Sequence, residues 1–179
     1  MATDISEKGL ETIITSYLCD THGYELGVSD DYIKEFGMDT ERVKRFILST
    51  QKEKVKNTGC FASASSERKY FMRLSKELSS RGVTDVLRKG YKYITETFDM
   101  YYPTPSELNP SAQEMYRRNI FCVTRQLFYS STNSNSIDLY ISLNGLPVMT
   151  MELKNHYTHQ TVDNAVTDRD PKADSSALI

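Results

Sequence analysis

Residues 136–155 constrain the fold more than any other part of the chain. Two alternating apolar runs flank Asn144-Gly145, and an Asn-Gly pair between such runs is a strong signal for a β-hairpin. Alternate residues of a strand point to the same face, so Glu152 and Lys154 project together. The hairpin also returns Asp138, near the start of its first strand, to the neighbourhood of Glu152. We therefore predict two carboxylates and one amine at one end of a sheet.

The register of this hairpin decides whether the two acids meet. A strict two-residue turn at Asn144-Gly145 places Asp138 opposite Met151, on the other face of the sheet from Glu152. A three-residue connection that includes Leu146, or a β-bulge, places Asp138 opposite Glu152 instead. A shared site for the two acids therefore requires an odd-numbered loop or a bulge.

Two carboxylates so close together need a partner. At about 4 Å they repel by roughly 4 kcal/mol at an effective dielectric of about 20. A proton, a cation or a metal ion relieves this repulsion, and Mg²⁺ prefers oxygen ligands. With Lys154 beside an attacking water, the pattern indicates metal-assisted hydrolysis. The spacing alone leaves open an alternative, which is an ordinary half-buried hairpin that carries a surface salt bridge.

A wider set of segments extends this pattern. Asp138 followed by Glu152, Leu153 and Lys154 resembles the Asp…(Asp/Glu)-x-Lys signature of the PD-(D/E)xK nuclease superfamily. More specific segments lie around them, at residues 81–88, 109–129, 135–139, 143–148, 152–155 and 168–171. Together they resemble the N-terminal endonuclease domain of the restriction (R) subunit of type I restriction enzymes. The resemblance covers most of the chain and is dense after residue 67.

The resemblance implies a restriction-endonuclease-like fold and metal-dependent cleavage of phosphodiester bonds in double-stranded DNA after ATP-driven translocation. Asp138 and Glu152 would hold Mg²⁺, together with the backbone carbonyl of Leu153 and with Glu11 as a further candidate ligand. Lys154 would orient or deprotonate the attacking water. The resemblance also implies methyltransferase and specificity subunits as partners, and a bacterial or archaeal cytoplasm.

A competing interpretation is a non-cutting DNA-docking or assembly domain that keeps the nuclease fold. Relatives carry a Gln-Tyr pair before the Asp-Arg-Asp-Pro segment, whereas Val166-Thr167 here runs directly into Asp168.

The chain also has no Gly-x-x-x-x-Gly-Lys-Ser/Thr loop to cradle the phosphates of ATP. We therefore expect this chain to be the nuclease end of a larger R protein, with ATP bound only in the full-length subunit.

The charge of the chain limits how it can bind DNA. The formal net charge is −2, so no overall basic field attracts nucleic acid. Any contact with phosphates must be local, and the candidates are Arg117, Arg118, Arg125 and Lys89. For each of these residues an ordinary surface charge is the favoured alternative, and we expect His156 and His159 to be surface residues rather than metal ligands.

Composition and cysteine spacing narrow the class of protein. A length of 179 residues with 39% hydrophobic and 26% charged residues suits one globular domain. No apolar stretch approaches the roughly 20 residues that span a bilayer, and no signal peptide is recognisable. The cysteines are odd in number and widely spaced, so they indicate neither a zinc site nor a disulfide framework. A reducing cytoplasm fits that usage.

Periodicity predicts helices over residues 5–19, 40–51 and 67–80, with a packed connector at 22–37 and a loop at 55–66. Asp4 and Glu7 resemble a helix start, and Ser111 with Glu114 resembles a capping box that opens a further short helix. The second helix should bury Val43, Phe46 and Ile47, and the third Phe71, Leu74 and Leu78. The first helix should have an apolar stripe formed by Leu10, Ile13, Ile14, Tyr17 and Leu18.

The remaining elements are strands and a tail. Residues 91–102 are typical of one long strand or two short ones, residues 120–129 of another strand, and residues 161–166 of the start of a helix. We therefore predict a mixed α+β fold with a central mixed sheet flanked by helices. Its helical part should cover about residues 1–90, the catalytic sheet about 91–155, and a partial helix and tail 156–179.

Overall fold

The computed structural model of the protein describes residues 6–106, 108–130 and 135–154. The helices within these ranges are α1 (Glu7–His22), α2 (Thr40–Thr50), α3 (Lys52–Thr58), α4 (Ala64–Arg81), α5 (Val83–Lys89) and α6 (Pro110–Arg117). A short 3-10 helix lies at Ser29–Asp31. The strands are β1 (Glu25–Gly27), β2 (Tyr91–Tyr93), β3 (Glu96–Phe98), β4 (Phe121–Phe128), β5 (Ser136–Leu143) and β6 (Leu146–Met151).

The main sheet has four strands in the order β1-β4-β5-β6. β1 pairs with β4 in parallel, whereas β4 with β5 and β5 with β6 are antiparallel. β2 and β3 form a separate antiparallel pair, which is the two-strand alternative for residues 91–102. The prediction of a mixed α+β fold with a mixed sheet and helices is confirmed.

β1 was not predicted, because residues 22–37 look like a connector. A strand of three residues is too short for any alternation to appear in the sequence. It forms where the chain lies beside β4, with Glu25 opposite Cys122 and Gly27 opposite Thr124. A side chain at Gly27 would begin 2.4 Å from the Thr124 hydroxyl oxygen, so this close approach requires glycine. The site sheet therefore receives its edge strand from the helical half of the chain.

The main hydrophobic core lies between α2, α4 and the β2–β3 pair. The residues predicted to be buried in α2 (Val43, Phe46 and Ile47) and in α4 (Phe71, Leu74 and Leu78) are all buried. Leu146, the first residue of β6, packs into the same core. The hairpin of the site is therefore anchored at its turn in the helical half of the molecule.

Three boundaries differ from prediction because side-chain caps decide them. Residues 55–66 are only partly a loop, since α3 runs to Thr58 and α4 begins at Ala64. Ser63 caps α4, because its hydroxyl accepts a hydrogen bond from the Ser66 amide at 3.2 Å. α6 begins at Pro110 rather than at Ser111, because Asn109 caps it through the Ala112 amide at 3.0 Å. A proline at the first helical position suits this start.

The third boundary is the start of α1. Its N-cap is Ser6, whose hydroxyl accepts from the Gly9 amide at 3.1 Å. The predicted cap residue, Asp4, lies outside the residues that the structure describes.

The predicted apolar stripe of α1 is wrong as a buried face. Leu10, Ile13 and Tyr17 are 41%, 49% and 58% exposed and Ile14 and Leu18 are half-buried, whereas Glu11 and Thr15 are buried. The helix therefore turns a polar face towards the sheet. The reason is that Glu11 has its hydrogen-bonding partners on β4.

The remaining expectations concern membranes, cysteines and the tail. None of the helices described is long and apolar enough to cross a bilayer. Cys19, Cys60 and Cys122 are all free thiols. The predicted helix at 161–166, His156 and His159, and the segment between Thr167 and Asp168 lie outside the described residues.

Candidate active site

The β5–β6 hairpin combines a two-residue turn with a bulge. Leu143 pairs with Leu146, as a turn at Asn144-Gly145 requires, but Ile141 already pairs with Met149. Val148 is the extra residue that shifts the register by one. The last pair is Leu139 with Met151, so the next position along the same register places Asp138 opposite Glu152. The bulge, rather than a longer loop, brings the two acids to one level of the sheet.

The turn itself is buried. Asn144 and Gly145 have φ values of 53° and 83°, the left-handed conformations that a tight hairpin turn uses. The Asn144 side chain accepts a hydrogen bond from the Ile120 amide at 2.6 Å and donates to the Met100 carbonyl at 3.0 Å. The Gly145 carbonyl accepts from the Asp39 amide at 3.0 Å. These bonds fix the hairpin against the start of α2 and so fix where Asp138 and Glu152 lie.

Asp138 is held from both neighbouring strands. One carboxylate oxygen accepts a hydrogen bond from the Leu153 amide at 2.7 Å, just beyond the end of β6. The other lies 3.4 Å from the side-chain amide nitrogen of Gln126 in β4. The carboxylate is half-buried, and these two donors restrict its direction.

Glu11 reaches the same site from α1. It is only 3% exposed, and its oxygens accept from the Gln126 amide at 2.8 Å and from the Arg125 guanidinium at 3.3 Å. A buried carboxylate is costly unless donors satisfy it, and these two residues supply them. Gln126 is thus shared by Glu11 and Asp138. Glu11 of the first helix is therefore linked to the hairpin acid Asp138 through this one side chain.

Gln126 and Ser136 are site residues that the sequence interpretation missed. The Ser136 hydroxyl donates to the side-chain carbonyl oxygen of Gln126 at 3.1 Å. The pairs Arg125 with Leu139 and Leu127 with Ile137 flank Gln126, which therefore lies opposite Asp138. Pairing the predicted strand at 120–129 with the hairpin would have placed this glutamine there, but no motif marks it.

Glu152 and Lys154 follow directly after β6. Glu152 is exposed and Lys154 is half-buried. Within residues 6–106, 108–130 and 135–154, no group of three Asp, Glu, His or Cys side chains is placed to hold a metal ion. A magnesium site does not need three, since Mg²⁺ keeps several waters and is usually bound through one or two carboxylates. The Asp138 and Glu152 carboxylates and the Leu153 carbonyl are oxygen donors of the type that Mg²⁺ prefers.

The candidate DNA contacts are dispersed. Arg118 pairs with Glu114 at 2.8 Å, and Lys89 pairs with Asp85 at 2.5 Å, each with an acid four residues earlier. Arg117 is exposed at the end of α6. Of these three and Arg125, only Arg125 has a hydrogen bond to Glu11 or Asp138 in the part of the chain described. Exposed ion pairs of this kind contribute about 0–1 kcal/mol to stability. A DNA phosphate could therefore replace Glu114 or Asp85 as the partner with little loss of stability.

Comparison with known proteins gives one match. A family model described as "Type I restriction enzyme R protein N terminus" matches residues 4–176. Searches of curated proteins and of solved structures give no significant match.

Proposed function

The chain belongs to the family of type I restriction enzyme R protein N-terminal regions, and from this we propose that it is the metal-dependent endonuclease module of such an enzyme. Its substrate would be double-stranded DNA, and its reaction the hydrolysis of phosphodiester bonds. Translocation driven by ATP would belong to another part of a larger R protein, and the methyltransferase and specificity subunits would be its partners.

The observation that carries this proposal is the register of the site hairpin. The bulge at Val148 sets the register of the last pair, Leu139 with Met151, and this register continued by one residue brings Asp138 level with Glu152. The Leu153 amide donates a hydrogen bond to one oxygen of Asp138. Without the bulge the two-residue turn would put the acids on opposite faces of the sheet. A bulge beside an active site commonly serves to aim side chains in this way.

In the proposed mechanism, Asp138, Glu152 and the Leu153 carbonyl would hold Mg²⁺, and Glu11 would be a further candidate ligand. When bound, the ion supplies positive charge at the scissile phosphate. Lys154 lies two residues after Glu152 and is half-buried. Its ammonium donates hydrogen bonds to the attacking water and to the oxygens of the pentavalent phosphate.

The second candidate is a non-cutting platform for DNA or for assembly. The sequence observation in its favour is that Val166-Thr167 runs directly into Asp168, without the Gln-Tyr pair of relatives. A platform would keep the fold of the hairpin but would not depend on Lys154. The two candidates therefore differ in what a change at Lys154 does.

The test is Lys154→Ala in the R protein of an assembled enzyme. We expect loss of DNA cleavage with ATP hydrolysis and translocation nearly unchanged, because Lys154 acts only at the phosphate. Lys92→Ala, at an exposed lysine of β2, is the matched control and should cut normally. Cleavage by the Lys154 variant at the normal rate, or an equal loss of ATP hydrolysis, would contradict the proposed role.

A further inference from the structure

The backbone at Gln126 departs from a regular strand. Its φ is 49°, although it lies in the middle of β4. In a regular strand consecutive side chains point to opposite faces, yet Arg125 and Gln126 both contact Glu11. Non-glycine residues rarely adopt positive φ, and such conformations cluster where a site demands them. The irregular backbone of β4 at Gln126 therefore allows two consecutive side chains of this strand to bond to Glu11 of α1.

The Gln126 amide has only one favourable orientation. The Ser136 hydroxyl donates to its carbonyl oxygen at 3.1 Å, so the amide nitrogen faces the two carboxylates. That nitrogen carries two N–H groups for two acceptors, with Glu11 at 2.8 Å and Asp138 at 3.4 Å. The reversed amide would place a carbonyl oxygen against two carboxylates. Ser136 and the two acids thus determine the orientation together.

We propose that Gln126 is a positioning residue of the active site, which aims the Asp138 carboxylate and keeps Glu11 beside it. One oxygen of Asp138 accepts a hydrogen bond from the Gln126 side-chain amide, and the other accepts one from the Leu153 backbone amide. Glu11, buried in α1, joins the site through the same amide. This inference rests on the proposed function and adds to it a residue of β4 through which α1 is coupled to the site.

The test uses Gln126→Asn in the R protein. Asparagine tolerates positive φ better than most residues and keeps the amide, but it is one methylene shorter and cannot reach both acids. Groups that orient metal ligands commonly account for 10–100-fold in metal affinity or activity. We therefore expect about 10–100-fold weaker binding of Mn²⁺, titrated without nucleotide and followed by the electron paramagnetic resonance of the free ion. The Mg²⁺ concentration for half-maximal cleavage should rise in parallel.

Gln51→Asn is the matched control. Gln51 is buried and Gln126 is half-buried, and the Gln51 side chain bridges the backbone of Asp99 with two bonds of 2.8 Å. Shortening it removes comparable hydrogen bonds away from the site. This variant should lose thermal stability but bind Mn²⁺ as the wild type does. An equal loss of Mn²⁺ binding in both variants would overturn the positioning role, because general destabilisation would then explain it.

Asp138→Asn separates failure of this inference from failure of the proposed function. If it abolishes both cleavage and one equivalent of Mn²⁺ binding while Gln126→Asn changes neither, only the positioning role is overturned. If Asp138→Asn leaves both unchanged, the proposed function fails and the inference fails with it. Loss in Asp138→Asn with a 10–100-fold weakening in Gln126→Asn supports both.

Discussion

At the scale of single residues, three non-glycine residues within the described ranges have positive φ, and they are Ile94, Gln126 and Asn144. Each such conformation costs roughly 1–2 kcal/mol for an ordinary L-residue. Gln126 and Asn144 have side-chain amides that bond to neighbouring elements, which offsets this cost. Gln126 lies in β4 and Asn144 in the turn of the site hairpin, so both strained residues lie in the elements that position Asp138 and Glu152.

A second residue-scale feature is a pair of buried tyrosines. Tyr70 is fully buried, and its hydroxyl has no hydrogen-bond partner among the residues described, whereas the Tyr91 hydroxyl donates to the Tyr70 carbonyl at 3.1 Å. Tyr70→Phe should leave the free energy of unfolding unchanged or raise it by up to about 2 kcal/mol, because an unpaired buried polar group is removed. Tyr91→Phe should lower it by about 1 kcal/mol. Urea denaturation of this chain measures both, and the reverse order would contradict the assignment.

Arg42 makes the stability of the protein depend on pH. It contacts Glu25 at 3.1 Å, Asp31 at 2.8 Å and Asp39. Burial acts to raise the pKa of Glu25 and of Asp31, but hydrogen bonds from Arg42, and from Arg45 to Glu25, outweigh it, so both pKa values are lowered. The stabilisation is therefore complete above the unfolded pKa values of about 4 and is lost as pH falls through the folded values.

We accordingly expect the free energy of unfolding to decrease between about pH 5 and pH 3, with a smaller decrease in Arg42→Met. Arg68→Met, which breaks an exposed pair with Glu35, is the matched control and should keep the wild-type slope. Denaturant titrations at several pH values measure the slopes. An unchanged slope in Arg42→Met would show that other groups cause the acid sensitivity.

At the scale of elements, the buried Asn-Gly turn links the two halves of the fold. The Asn144 side chain bonds to the backbone of Ile120 and Met100, and a Cβ at Gly145 would lie 2.3 Å from the Asp39 carbonyl oxygen. The same hairpin carries Asp138 and leads into Glu152. The position of the site is therefore transmitted from the helical core through this turn.

Two substitutions separate the bonds of Asn144 from its conformation. Asn144→Gly keeps the positive φ but leaves the Ile120 amide, of a half-buried residue, without its side-chain acceptor, so we expect the free energy of unfolding to fall by about 2 kcal/mol. Asn144→Ala should lower the free energy of unfolding by about 1 kcal/mol more than Asn144→Gly does, because a positive φ is unfavourable for alanine. Urea denaturation checks both values. A neutral Asn144→Gly would mean that these hydrogen bonds do not stabilise the hairpin.

At the scale of the whole molecule, charge limits what this chain does alone. The net charge of −2 gives little release of counterions, which supplies most non-specific affinity for DNA. We expect this chain by itself to cut plain duplex DNA weakly or undetectably. Any binding should fall steeply between about 50 and 200 mM salt and should not depend on sequence. Fluorescence anisotropy with two unrelated duplexes, alongside a cleavage assay in Mg²⁺, measures this, and efficient site-specific cleavage would contradict it.

The sequence by itself determined the elements with strong local signals. The apolar periodicity of α2 and α4 predicted which residues are buried, because helix geometry alone relates residues three and four apart. The Asn-Gly pair predicted the hairpin, since few other dipeptides adopt its two left-handed conformations. The spacing of the hairpin residues also requires either a bulge or an odd-numbered loop to bring Asp138 opposite Glu152.

Only the tertiary structure decided the rest. Three features depend on contacts between segments distant in the chain: the bulge at Val148, the pairing of the three-residue β1 with β4, and the polar face that α1 turns towards the sheet. Gln126 lies 115 residues from Glu11 and 12 from Asp138, and its amide joins them only once β4 lies between α1 and β5. Local periodicity cannot predict such contacts, because they are made by side chains that meet only after the sheet has formed.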